Sequence, residues 1–189
     1  MNLNLKDIRL LPNIISTFRL LLALPMSLIF FNYNKLSHSN YLIVSLIFIA
    51  FLSDLLDGFI ARRKNQISEL GKVIDPLADK ILTGIIVLFM WYNDQFSTSL
   101  LVVILARDVI IFISGIYLSY KIGSVIASDY VGKATIFSIG IYILFKLVAE
   151  TTTGNIDNLL YFIVISLSII SLINYLIRGI KLLGKNGNI

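Results

Sequence analysis

The chain has 189 residues, 57% of them hydrophobic and only 14% charged, whereas a soluble domain is about half apolar and about a quarter charged. It has no cysteine, which excludes disulfides and thiolate metal sites, and its one histidine, His38, cannot build a histidine-based zinc centre alone. The net charge of +5 comes from basic residues at the ends of apolar runs, which excludes a nucleic-acid-binding stripe and points to a membrane protein.

Residues 1–11 mix Leu and Ile with Lys6, Asp7 and Arg9, a pattern that predicts a short helix on the membrane surface. They do not read as a cleavable signal peptide. Asn13, Thr17 and Arg19 interrupt the start of the next apolar run, and no small-residue cleavage site follows. Six apolar segments then follow, at 12–33, 40–61, 73–93, 97–120, 131–150 and 157–179. Each is near the ~20 residues a helix needs to cross a bilayer. Pro12 opens the first segment where a proline costs little, and Pro25 predicts a kink inside it. His38 falls in a polar hinge and reads as a solvated loop residue. Trp91 and Tyr92 close the third segment as interface anchors. Lys146 and Glu150, four residues apart, read as a helix-end pair. No internal repeat or low-complexity linker breaks the chain, so one domain is expected over residues 1–189.

Orientation follows from the basic residues. Lys6 and Arg9, then Arg62, Arg63, Lys64 and Lys72, then Lys121 and Lys133, then Arg178, Lys181 and Lys185 all fall on one side of six spans. The positive-inside rule makes that side the cytoplasm. The expected fold is an all-α integral membrane protein with six transmembrane helices, a short N-terminal interfacial helix and both termini cytoplasmic. The expected location is a bacterial plasma membrane.

The chemistry concentrates between Ser53 and Lys80, which hold Asp54, Asp57, Asp75 and Asp79 at or inside the ends of two spans. An ionised group in a membrane helix is costly unless it is paired or faces water. At about 100° per residue, Asp54, Asp57, Gly58 and Ala61 share one wedge of the second helix. Asp75 and Asp79 stack one turn apart on the third. A short loop makes the two helices antiparallel neighbours, so the four carboxylates converge. Converging carboxylates repel unless a cation bridges them. An all-oxygen donor set selects Mg2+ or Mn2+, which commonly share carboxylates with phosphate oxygens. Asp54 lies eight residues before Arg62, ~12 Å along a helix, which puts the site just below the cytoplasmic surface. The plainer alternative is a set of helix-end carboxylates neutralised by Arg62, Arg63 and Lys80.

The same stretch resembles the signature of the CDP-alcohol phosphatidyltransferase family, D-x2-D-G-x2-A-R-x8-G-x3-D-x3-D. Asp54, Asp57, Gly58, Ala61, Arg62, Gly71, Asp75 and Asp79 meet it without departure. The resemblance implies transfer of a phosphatidyl group from CDP-diacylglycerol to an alcohol, with release of CMP. It implies a two-metal centre of Mg2+ or Mn2+ on Asp54, Asp57 and Asp75. Asp79 would be the general base and a further candidate ligand. Gly58, Ala61, Arg62 and Gly71 would line the nucleotide site. The start of the first span, with Pro12, Asn13, Thr17 and Arg19, is a near match to a P-N-x2-T-x2-R-like opening. It adds Asn13 and Thr17 as nucleotide contacts, the alternative being an ordinary helix start. A homodimer is also implied.

For the acceptor, Arg107 beside Asp108 in an apolar run, and Lys133 within Gly132-Lys133-Ala134-Thr135, are candidate grips on an anionic group. An internal ion pair is the alternative for Arg107 and Asp108. The pattern resembles the phosphatidylglycerophosphate synthases, which implies glycerol 3-phosphate. Thr135 stands where those enzymes often have a second lysine, and a second arginine is missing from the fourth segment. The run Arg107-Asp108-Val109 and the segment from Asp57 to Leu82 also resemble the cardiolipin synthases of the family, whose acceptor is phosphatidylglycerol. The competing class is an ion or proton transporter with intramembrane aspartates as a relay. Against it, the carboxylates gather near one face instead of continuing across.

Overall fold

The computed structural model describes residues 10–36, 38–64, 71–122, 129–149 and 154–186. Within helices, the side chains of residues 12, 34, 57, 58, 61, 62, 64, 72, 73, 122, 185 and 186 lie outside the description. The N-terminal surface segment expected over 1–11 therefore falls almost wholly outside the described residues.

The described residues are helical with short connections. The helices are α1 (Leu11–Leu21), α2 (Ala23–Phe31), α3 (Ser39–Lys64), α4 (Gly71–Tyr92), α5 (Thr98–Ile122), α6 (Tyr130–Val148) and α7 (Asn155–Asn186). Together α1 and α2 make the first apolar segment. They are separated at Leu22, three residues before Pro25, whose ring and missing N–H disturb the preceding turn. The helix is interrupted where the kink is expected.

Among the described residues, five stretches are long and apolar enough to cross a membrane: Asn13–Phe31, Ser39–Leu56, Thr98–Lys121, Tyr130–Val148 and Asn155–Gly184. The protein is an integral membrane protein. The sixth expected span, α4, has the length, at 22 residues, but Asp75, Asp79 and Lys80 crowd its first turns and keep it outside the apolar set. Large apolar side chains such as Phe31, Phe48, Phe137, Phe162 and Ile180 are exposed. That is unfavourable in water but matches hydrocarbon.

The chain forms two compact units, Met1–Phe89 and Met90–Ile189. In the first, α1 and α2 pack on α3. The α4 helix is engaged by α1 through Ser16 and Arg19, and by Phe30 of α2, which stacks on Phe89 with ring centroids 3.7 Å apart. Met26 and Ile43 are fully buried there. Exposed His38 takes a φ of 66° in the turn before α3.

In the second unit, α4 ends in a tight turn. Asp94 adopts a φ of 56°, and the N–H groups of Gln95 and Phe96 return to the carbonyl of Met90. Asp tolerates this left-handed geometry better than most residues, which is why such residues close helices. Next, α7 packs on both α5 and α6. Two glycines allow the close approach of α5 and α7. A Cβ on Gly115 would stand 3.0 Å from the Tyr175 hydroxyl, and one on Gly179 would stand 3.0 Å from Leu118 Cδ1. Thr135 ties α6 to α7 by donating to its own Val131 carbonyl and to that of Leu167.

Glu150, the partner expected for Lys146, lies outside the described residues. Lys146 has another partner. Its ammonium stands 2.7 Å from Asp157 at the start of α7, and Asp157 also accepts from the Tyr142 hydroxyl at 2.9 Å. A partner across the α6–α7 turn offers a second hydrogen bond.

Candidate active site

In the first unit three of the four signature aspartates are engaged by side chains of α1, Asp75 by Ser16 and both Asp54 and Asp79 by Arg19. Asp54 is on α3, and Asp75 and Asp79 are one turn apart on α4. Pro76 lies between the latter two. It removes one backbone N–H from the helix, so the carbonyl one turn earlier loses its usual donor.

The side chains that engage the carboxylates come from α1. Asn13, Ser16 and Arg19 recur every third residue and are all buried. Three-residue spacing puts them along one face. The hydroxyl of Ser16 donates to Asp75 Oδ1. A single nitrogen, Arg19 Nη1, lies 2.8 Å from Asp54 Oδ1 and also donates to Asp79 Oδ1. Two oxygens sharing one donor lie no more than about 6 Å apart.

The exposures are unequal. The Arg19 side chain is 2% exposed, whereas those of Asp54 and Asp79 are 48% and 50% exposed. The guanidinium forms a buried floor, and the carboxylates keep an open side.

Thr17, expected as a nucleotide contact, donates to the carbonyl of Asn13 in its own helix at 2.7 Å. The hydroxyl turned to the carboxylates is that of Ser16. A strict count of P-N-x2-T-x2-R from Pro12 puts its hydroxyl position on Ser16 and its arginine on Arg19. That count and the three-residue recurrence are the signals that identify Ser16 and Arg19. Asn13 is buried, and Gly71 is buried at the start of α4. Asp57, Gly58, Ala61 and Arg62 lie on α3, with side chains outside the described set.

The donor chemistry suits a hard divalent cation. All the candidate ligands are carboxylate oxygens, and two of the carboxylates are half exposed. Among the described residues no three His, Cys, Asp or Glu side chains form a metal-sized group by themselves.

The acceptor candidates are in the second unit. Arg107 is 4% exposed. It donates to Asp108 Oδ1 at 2.5 Å and to Ser171 Oγ on α7 at 3.0 Å. The exposed Lys133 sits in the first turn of α6. There Asp129 caps the helix by accepting from the Gly132 N–H at 2.8 Å and stands 3.8 Å from Arg178.

Comparison with known proteins adds an independent line. The family model described as CDP-alcohol phosphatidyltransferase matches residues 9–174. The chain is 31% identical over 182 residues to the CDP-diacylglycerol–glycerol-3-phosphate 3-phosphatidyltransferase of Aquifex aeolicus, a match covering 92% of this chain and 98% of that protein. It is 32% identical over 102 residues to the protein of the same name from Rickettsia prowazekii, covering 53% of this chain and 55% of that one. Similarity to the cardiolipin synthase (CMP-forming) of Rattus norvegicus is 37% over 112 residues, covering 59% of this chain but 35% of that protein.

Proposed function

Because the chain belongs to the CDP-alcohol phosphatidyltransferase family, we propose that it transfers the phosphatidyl group of CDP-diacylglycerol to glycerol 3-phosphate, giving phosphatidylglycerophosphate and CMP. The chain is a phospholipid-synthesising transferase, and the acceptor is the inferred part. The observation that carries the acceptor is the match to the Aquifex aeolicus protein along nearly the full length of both chains.

The residues divide the work as follows. Asp54, Asp57 and Asp75 are the proposed metal ligands, with Asp79 beside them. When bound, Mg2+ or Mn2+ neutralises diphosphate charge and stabilises the departing CMP. Asp79 takes the proton of the acceptor hydroxyl. That oxygen bonds to the phosphorus carrying diacylglycerol, the diphosphate P–O bond breaks, and its electron pair leaves with CMP. Asn13, Gly58, Ala61, Arg62 and Gly71 are the proposed nucleotide residues, whereas the Thr17 hydroxyl, also expected there, is engaged within its own helix. Ser16 joins them as the hydroxyl bonded to Asp75. Lys133 is assigned to the acceptor phosphate, being an exposed cation at a helix N-terminus. Arg107, already held by Asp108 and Ser171, is assigned a supporting role.

The same reading makes α4 a sixth span, with both termini and the site facing the cytoplasm of a bacterial plasma membrane. It also makes the protein one domain and a homodimer. The absence of cysteine lets single introduced cysteines report sidedness and dimer contacts cleanly.

The test is CMP release by purified protein with Mg2+ and CDP-diacylglycerol, offered glycerol 3-phosphate, phosphatidylglycerol, serine or inositol phosphate, with Asp79→Asn as the control. Release driven by glycerol 3-phosphate and lost in the control is the expected result. Release driven only by phosphatidylglycerol transfers the assignment to the cardiolipin synthase reaction.

A further inference from the structure

Arg19 is a buried cation in a membrane helix, and such a group is expensive unless it does something. One nitrogen of its guanidinium serves Asp54 of α3 and Asp79 of α4. The helix carrying it packs on α3. Arg19 is almost fully buried, whereas both carboxylates are about half exposed. The arginine therefore contacts them from the protein side and leaves their other side to solvent or ligand.

We propose that Arg19 is a positioning residue with two effects: it holds Asp54 and Asp79 in register, and its permanent charge weakens the hold of the carboxylates on a divalent cation. The proposal rests on the carboxylates being the catalytic centre. Its physical basis is the fixed protonation of a guanidinium and the strength of charge–charge interactions below the membrane surface. A carboxylate cluster without Arg19 presents a larger negative field to an arriving cation. It also repels itself more strongly, so its members spread into more arrangements. Loss of the charge should therefore tighten cation binding and slow the chemistry at once. An arginine that only glued helices together would, when removed, weaken both.

The experiment uses the full chain in detergent. Mn2+ alone is titrated by electron paramagnetic resonance without nucleotide, and kcat and KM are measured by CMP release. For Arg19→Gln the expected Mn2+ Kd is lower by about threefold or more. The expected kcat is lower by about tenfold or more, with the KM for CDP-diacylglycerol changed by less than about threefold. Arg19→Lys keeps the charge but lacks the planar fork. Its Mn2+ Kd should stay within about twofold of the parent while kcat recovers only in part. Folded Arg19→Gln that binds Mn2+ no more tightly than the parent, or turns over as fast, overturns the proposal. So does a parent protein that takes up no Mn2+. If Arg19→Gln is lost on gel filtration, Arg19→Lys decides: parental kcat, or a shifted Mn2+ Kd, overturns the proposal. If the parent releases no CMP with any acceptor, the enzymatic reading fails, and the Mn2+ titration still reports on Arg19.

Discussion

Ser16 on α1 donates its hydroxyl to Asp75 on α4, while Thr17, the next residue, donates to its own helix. The two hydroxyls therefore make different predictions. A hydrogen bond to a charged group contributes about 1.5–3 kcal/mol, so Ser16→Ala should lower kcat/KM by about tenfold to a hundredfold. Thr17→Ala should stay within about twofold of the parent, since its bond is internal to α1. Steady-state CMP release measures both. Equal losses would restore to Thr17 a contact with the nucleotide.

That pair also shows what a sequence can and cannot carry. The aspartates were legible because each pair sits on one helix, where spacing alone sets the shared face. The partners from α1 depend on how that helix is rotated about its axis. Ser16 and Thr17 differ by about 100° of rotation, and apart from the strict motif count, packing of α1 is what decides between them. Lys146 illustrates the same limit. Its i, i+4 neighbour is visible in sequence, but Asp157 comes near only when α6 and α7 pack together. The membrane helices themselves were legible from long apolar runs, with ends agreeing to within two or three residues except at α7. That helix continues to Asn186, past the apolar run expected to stop at 179, carrying Lys181 with it. The charge that made α4 interesting as a site is also what keeps it out of the apolar set.

A carboxylate-only donor set predicts a hard-cation requirement. Chelation with EDTA should abolish CMP release, and Mg2+ or Mn2+ should restore it. Ca2+, which prefers more ligands at longer distances, should restore little. Activity surviving exhaustive chelation would contradict the assignment of Asp54, Asp57 and Asp75 as ligands.

The pair of Lys146 and Asp157 belongs to the second unit, whereas the signature aspartates belong to the first, and it is only slightly exposed. Asp157→Asn should lower stability by about 1–3 kcal/mol, since it weakens the ion pair and alters the bond from Tyr142. That amounts to a fall in Tm of a few degrees with kcat unchanged. Replacing both partners, Lys146→Met with Asp157→Leu, should recover most of the loss, because no charge is left buried alone. Thermal denaturation followed by size-exclusion chromatography reads both, and a single variant as stable as the parent counts against the pair.

Arg107 and Lys133 separate support from contact. Arg107 is engaged on two sides, by its sequence neighbour Asp108 and by Ser171 across the α5–α7 seam. Removing one member of a buried ion pair costs about 3–5 kcal/mol because the other charge is stranded. Arg107→Met should therefore fold poorly. Arg107→Met combined with Asp108→Leu should regain most of the stability, with the KM for glycerol 3-phosphate within about twofold of the parent. Lys133→Ala removes an exposed cation and leaves the Asp129 cap intact, so stability should hold. The KM for glycerol 3-phosphate should rise about tenfold or more, with kcat little changed, because a phosphate that stays on the acceptor throughout is bound alike in ground and transition states. A double variant that folds but has a greatly raised acceptor KM would put Arg107 on the acceptor itself. A parental KM in Lys133→Ala would remove Lys133 from it.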